Sequence, residues 1–197
     1  MANFLTALRL LISIPAALSI ALVLMFSPEV TVLLIVIAIV TDFFDGKIAR
    51  RFGTASSRGQ LFDHSTDFFF VTSCLFGAAY AGLVTPILPI LIVIAFSQYV
   101  LDSHFFYHEK QLHMSRLGRW NGILYFAPIL AIACSRTPVL SEVSGYISGG
   151  VFVFGWILVL STVLSILDRA MAPLHSHPPH NGPAHNHANQ SHPHQKG

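Results

Sequence analysis

The chain has 197 residues, 53% of them hydrophobic and 10% charged, with a formal net charge of +2 and a mean hydropathy of +0.63. Soluble domains carry roughly 25% charged residues, so this composition excludes an ordinary soluble protein and indicates one polytopic, all-α membrane domain of about six spans of roughly 20 residues each. A charge so small, and clustered rather than spread, excludes nucleic acid as a partner and bears on membrane topology instead.

In chain order, residues 2–9 mix Leu5 and Leu8 with Asn3, Thr6 and Arg9, which predicts a short interfacial helix entering the bilayer. A first span is predicted over 10–26, interrupted by Pro15 and without the small-residue cleavage site of a signal peptide. Ser27, Pro28 and Glu29 break the pattern, and a second helix runs from Val30 to Arg50 or Arg51, since nothing stops it before Gly53. Residues 52–58 have the composition of a connecting loop, and Gly59 opens a third helix extending to about Leu83. Thr85-Pro86 starts a fourth span over 85–106, the polar stretch 107–119 follows, a fifth span covers 120–134, and a sixth covers 146–168.

Lys47, Arg50, Arg51 and Arg58 flank the second and third helices, and Lys110, Arg116 and Arg119 lie between the fourth and fifth, whereas the opposite loops hold only Arg136. The positive-inside rule then puts both termini at the cytoplasmic face, and the setting expected is an integral protein of the cell inner membrane. The domain accordingly spans 1–171, and residues 172–197 form a tail with seven histidines among Pro, Asn, Gln and Ser, a composition that cannot build a core and predicts disorder. Its pairs His175/His177, His185/His187 and His192/His194 have weak affinity for transition metals. Cys74 and Cys134 lie in apolar runs without metal-type spacing and read as packing residues.

The most informative stretch is acidic. Asp42 and Asp45 are three apart, and Gly59, Asp63 and Asp67 follow one another at intervals of four, so each set falls on one face of its helix. Ionised carboxylates within membrane helices need compensation. Four of them converging from consecutive helices call for one or two divalent cations held by hard oxygen ligands, of the magnesium or manganese kind.

The same stretch resembles the signature of the CDP-alcohol phosphotransferase family, D-x-x-D-G-x-x-A-R-x8-G-x3-D-x3-D. Asp42, Asp45, Gly46, Ala49, Arg50, Gly59, Asp63 and Asp67 fill all of its fixed positions. The run N-F-L-T-x-x-R at Asn3–Arg9 is similar to the family's N-terminal element, with Ala2 where many members have proline. The resemblance implies two divalent metals shared by Asp42, Asp45, Asp63 and Asp67, with Asp67 also the general base that takes the proton of the attacking hydroxyl. It further implies binding of the CDP-lipid by Asn3, Thr6, Gly46, Ala49, Arg50, Ser56 and Gly59, and a homodimer. The residue types agree: Gly46 and Ala49 let a ligand approach the backbone, and Arg50 offers a guanidinium fork to phosphate.

Arg9 is open between a role beside the nucleotide and one at the helix surface. Arg116 and Arg119 either hold the phosphate of the acceptor or anchor a span against headgroups. His64 points about 100° away from Asp63 round the helix and reads as a neighbour of the site rather than a metal ligand. Phe68 stands where the glycerophosphate-accepting subgroup has lysine and the inositol-type subgroup arginine, which leaves the acceptor open.

The function expected is transfer of a phosphatidyl group from CDP-diacylglycerol to an alcohol, glycerol 3-phosphate or an inositol-type phosphate, with release of CMP. One alternative transfers a phospho-alcohol from a CDP-alcohol to diacylglycerol. Another, of a different class, is a divalent-metal transporter or sensor, which has no need of Gly46, Ala49, Arg50 and Gly59 at fixed spacing.

Overall fold

The computed structural model describes residues 2–23, 26–51, 57–105 and 116–171, and their side chains except at 2–5, 44–51, 57–61, 102–105 and 116. Seven α-helices are present, with no strand among the described residues: α1 (Ala2–Ile20), α2 (Pro28–Arg51), α3 (Ser57–Tyr80), α4 (Ile87–Phe105), α5 (Arg116–Leu124), α6 (Phe126–Ser135) and α7 (Ser144–Met171). A 3-10 helix, Pro138–Val143, links α6 to α7. The expected disordered tail lies outside the described residues.

Two boundaries differ from the sequence reading. The expected break between an interfacial helix and a first span is absent: α1 is continuous from Ala2 to Ile20 and carries Pro15 within it. The polar residues that suggested an interface, Thr6 and Arg9, are instead its buried face. The expected fifth span is in two pieces that meet at Tyr125. Pro128 explains the interruption, because it has no N–H to donate to the carbonyl four residues earlier.

The burial pattern is the inverse of that in a soluble bundle. Helix α1 buries Thr6, Arg9, Ser13, Ala16 and Ile20, spaced three or four apart, while Leu11 and Ile14 are 72% and 56% exposed. Helix α7 buries Val151, Gly155, Leu158, Thr162 and Ser165 and turns Phe152, Trp156, Leu160 and Leu164 outward. Small and polar residues inside with large apolar ones outside is the pattern of helices whose solvent is hydrocarbon. By length and composition, Leu117–Ser135 and Pro138–Met171 are apolar enough to cross a membrane, and Thr6–Ile20 and Ile87–Leu101 are shorter apolar helices.

Helix α1 packs mainly on α3 and α2, and α7 on α4 and α6. The first contact is close because Gly77 has no side chain: a Cβ there would lie 2.4 Å from the Ala17 carbonyl oxygen. Buried Ala16, Ile20, Ile35, Ala38, Phe70, Cys74, Leu75 and Ile129 form the adjoining core. Polar ties complete it. The Ser19 and Thr31 hydroxyls share a hydrogen bond of 2.5 Å between α1 and α2, and Tyr125 and Thr162 share one of 2.6 Å between the α5–α6 junction and α7. Arg136, in the turn after α6, donates from Nη1 to the Ser19 carbonyl at 3.1 Å and from Nη2 to that of Ile20 at 2.8 Å, capping α1 where its carbonyls lack helical partners.

Candidate active site

The chain reverses direction between α2 and α3, so the C-terminal part of α2 and the N-terminal part of α3 lie at the same end of the bundle as the N-terminal half of α1. This topology brings together Asp42 of α2, Asp63 and Asp67 of α3, and Arg9 of α1. Arg9 is fully buried, and its Nη1 stands at the point where the three carboxylates converge, 3.3 Å from Asp42 Oδ1, 3.3 Å from Asp63 Oδ1 and in direct contact with Asp67 Oδ1. The carboxylates themselves keep partial access, with side-chain exposures of 38%, 25% and 22% in the same order.

The i,i+4 spacing of Asp63 and Asp67 is realised in α3, and His64 comes with them: its ring nitrogen and the two carboxylates lie within 4.8 Å of one another. One helical step of rotation is not enough to carry an imidazole out of reach, because the side chain is long compared with the helix radius. Among the described side chains three carboxylates meet one guanidinium, and their oxygens are the donors that magnesium and manganese prefer. The residues present therefore fit a divalent cation.

Beside the cluster a cavity of about 550 Å³ opens among α2, α3, α4, α5, α6 and α7, in the size range of small-molecule sites. Asp42, His64 and Asp67 form one wall, and Gln98, Tyr99, Arg119, Asn121 and Arg169 line it elsewhere. Apolar residues cover the rest, including Phe68, Val71, Ile92 and Phe126. Phe68, the position that departs from the expected lysine or arginine, stacks on Phe96 with ring centroids 4.0 Å apart. It builds an aromatic wall where a cation was the alternative.

The remaining expected residues fall out as follows. Thr6 is buried, one turn before Arg9. Arg119 lines the same cavity as Asp42 and Asp67. Asn3 lies in α1, Asp45, Gly46, Ala49 and Arg50 in the unbroken α2, Gly59 in α3, and Arg116 begins α5; their side chains, and Ser56 altogether, lie outside what is described. Sequence reasoning left the role of Arg9 open. The signal was its i,i+3 spacing from Thr6 together with an excess of intramembrane acid in need of a counter-charge. Gln98 and Tyr99, adjacent in α4, and Arg169, near the end of α7, carried no signal, since nothing in the sequence pairs those two helices.

The fold and the site together define a helical protein that gathers carboxylates beside a largely apolar cavity. The family model for CDP-alcohol phosphatidyltransferase matches residues 1–167, and the chain belongs to that family. Among curated relatives, it is 28% identical over 123 residues to cardiolipin synthase (CMP-forming) of Streptomyces coelicolor, covering 59% of this chain and 53% of that protein. It is 27% identical over 190 residues to CDP-diacylglycerol–glycerol-3-phosphate 3-phosphatidyltransferase of Mycoplasma genitalium, covering 84% of this chain and 78% of that one. The chain thus spans about half the length of the first of these relatives.

Proposed function

We propose that the protein is an integral membrane enzyme that transfers the phosphatidyl group of CDP-diacylglycerol to an alcohol acceptor, releasing CMP. The observation that carries this reading is the convergence of Asp42, Asp63 and Asp67 on Arg9, with Asp42 and Asp67 also lining a cavity apolar enough for a lipid donor. Both named relatives act in reactions of this class by their names. Glycerol 3-phosphate or an inositol-type phosphate is the acceptor class.

Asp42, Asp45, Asp63 and Asp67 hold two divalent cations, magnesium or manganese, which when bound neutralise charge developing on the diphosphate oxygens. Asn3, Thr6, Gly46, Ala49, Arg50, Ser56 and Gly59 bind the CDP end of the donor, and Arg119 with Arg116 meets the acceptor. Asp67 accepts the proton of the acceptor hydroxyl. The hydroxyl oxygen forms a bond to the phosphorus that bears diacylglycerol, the bond from that phosphorus to the CMP oxygen breaks, and the proton passes from Asp67 to solvent. Arg9 gathers the three carboxylates when no metal is bound. The helices form six spans, α5 and α6 together making the fifth, in the cell inner membrane, with the site and both termini at the cytoplasmic face. The assembly is a homodimer.

The test is purified protein in detergent with CDP-diacylglycerol, magnesium or manganese, and a panel of acceptors, reading CMP. Release that requires an acceptor supports the reading. Release only from CDP-choline or CDP-ethanolamine with diacylglycerol overturns it in favour of the reverse assignment of CDP, and metal uptake into proteoliposomes without CMP release overturns it in favour of transport.

A further inference from the structure

In the cavity that Asp42 and Asp67 line, α4 and α7 present a group of polar atoms that the proposed chemistry does not use. Gln98 donates from Nε2 to the Ile166 carbonyl at 3.3 Å, which fixes its amide and leaves Oε1 over. That oxygen is buried and has no hydrogen-bond partner among the described residues, and the same is true of the Tyr99 hydroxyl and of Arg169 Nη1. Tyr99 is only 4% exposed, and the Arg169 guanidinium lies over its ring, 5.1 Å from the centroid. All three residues line the cavity that Asp42 and Asp67 also line. Of the other polar residues that line the cavity, Tyr125 is satisfied internally through Thr162, and Asn121 Nδ2 is a further buried donor without a partner among the described residues.

Buried polar atoms without partners are costly unless a ligand or water completes them. Their chemistry specifies what would do so. Gln98 Oε1 can only accept, so the ligand brings a donor; Arg169 Nη1 can only donate, so the ligand brings an oxygen acceptor; the Tyr99 hydroxyl serves either. The reacting hydroxyl is spent at Asp67, so the donor for Gln98 has to be a further one.

We propose that Gln98 and Tyr99 are specificity-determining residues that read a second, non-reacting hydroxyl of the acceptor, so that the substrate class is a polyol bearing an anionic or other oxygen acceptor for Arg169. The assignment rests on the phosphatidyl-transfer reading above. It excludes acceptors with a single hydroxyl, diacylglycerol among them, because these leave Gln98 Oε1 buried without a donor. A site built to hydrogen-bond a substrate hydroxyl discriminates strongly against the analogue that lacks it.

The experiment compares CMP release from CDP-diacylglycerol with sn-glycerol 3-phosphate, myo-inositol 1-phosphate and 3-hydroxypropyl phosphate, the last keeping a reacting hydroxyl and the phosphate but no second hydroxyl. The wild type is expected to favour at least one polyol phosphate over 3-hydroxypropyl phosphate by about 100-fold or more in kcat/KM. Gln98→Leu is expected to reduce that preference to below about 10-fold by raising acceptor KM, with KM for CDP-diacylglycerol unchanged, and Gln98→Glu to retain part of it. Tyr99→Phe, which keeps the ring under Arg169, gives the same direction of change and serves if the Gln98 variants fail to fold. Equal use of all three acceptors by the wild type, or full discrimination surviving in Gln98→Leu or Tyr99→Phe, overturns the inference while leaving phosphatidyl transfer intact. CMP release with none of them, but with CDP-choline and diacylglycerol, sinks the underlying reading and this inference with it.

Discussion

Replacing Arg9 with methionine removes the positive charge that, among the described side chains, meets all three carboxylates, while keeping most of the side-chain volume. At 3.3 Å from Asp42 and from Asp63, and with an effective dielectric near 20, each attraction is worth about 5 kcal/mol before desolvation. The desolvation of a fully buried guanidinium offsets much of that, and loss of one partner from a buried ion pair costs about 3–5 kcal/mol in general. Because the carboxylates are 22–38% exposed and recover some hydration, the lower end, about 3 kcal/mol, is expected in chelator. A divalent cation supplies the missing charge: at a hundred times its Kd, binding contributes about 2.7 kcal/mol. The metal-induced gain should therefore be larger in Arg9→Met than in the wild type, where Arg9 competes for the same oxygens. Detergent-solubilised protein unfolded with SDS, in chelator and again in millimolar magnesium or manganese, measures both numbers. A variant as stable as the wild type in chelator, or one whose response to metal is no larger, would refute the electrostatic account of the cluster.

Two further substitutions test the frame that holds it. Gly77→Ala places a methyl 2.4 Å from the Ala17 carbonyl oxygen, so α1 and α3 have to separate; a loss of about 1–3 kcal/mol is expected, read as a melting temperature lower by several degrees, and an unchanged melting temperature contradicts the close helix contact. Arg136→Met strips the two hydrogen bonds that cap Ser19 and Ile20, with an expected cost of about 2 kcal/mol. Arg136→Lys should recover part of the loss by keeping charge at the helix terminus, and equal stability of all three proteins would remove the cap from the account.

Much of the site was legible because its logic is local. Asp63 and Asp67 sit one turn apart on α3, and a helix with no breaker before Gly53 had to carry Asp42 to the same end. What depended on distant pairing was not legible. Thr6 and Arg9 look interfacial in sequence because polar residues near a terminus usually face water, yet in α1 they point inward, and the helix runs through Pro15 without the expected break. His64 lies beside the carboxylates, as a neighbour of the site. Gln98 and Tyr99 are adjacent in α4 and Arg169 lies in α7, and only the packing of α4 against α7 gathers them. Phe68 as a cavity wall was equally invisible without Phe96 on another helix.

The central claim is that Asp67 accepts a proton during metal-dependent release of CMP from CDP-diacylglycerol. Single-turnover CMP release by Asp67→Asn, beside wild type at saturating metal, tests it most directly when paired with binding of CDP-diacylglycerol to the same samples. The account predicts a rate lower by about 100-fold to 10,000-fold with donor binding largely retained. A rate within a few-fold of the wild type would contradict it.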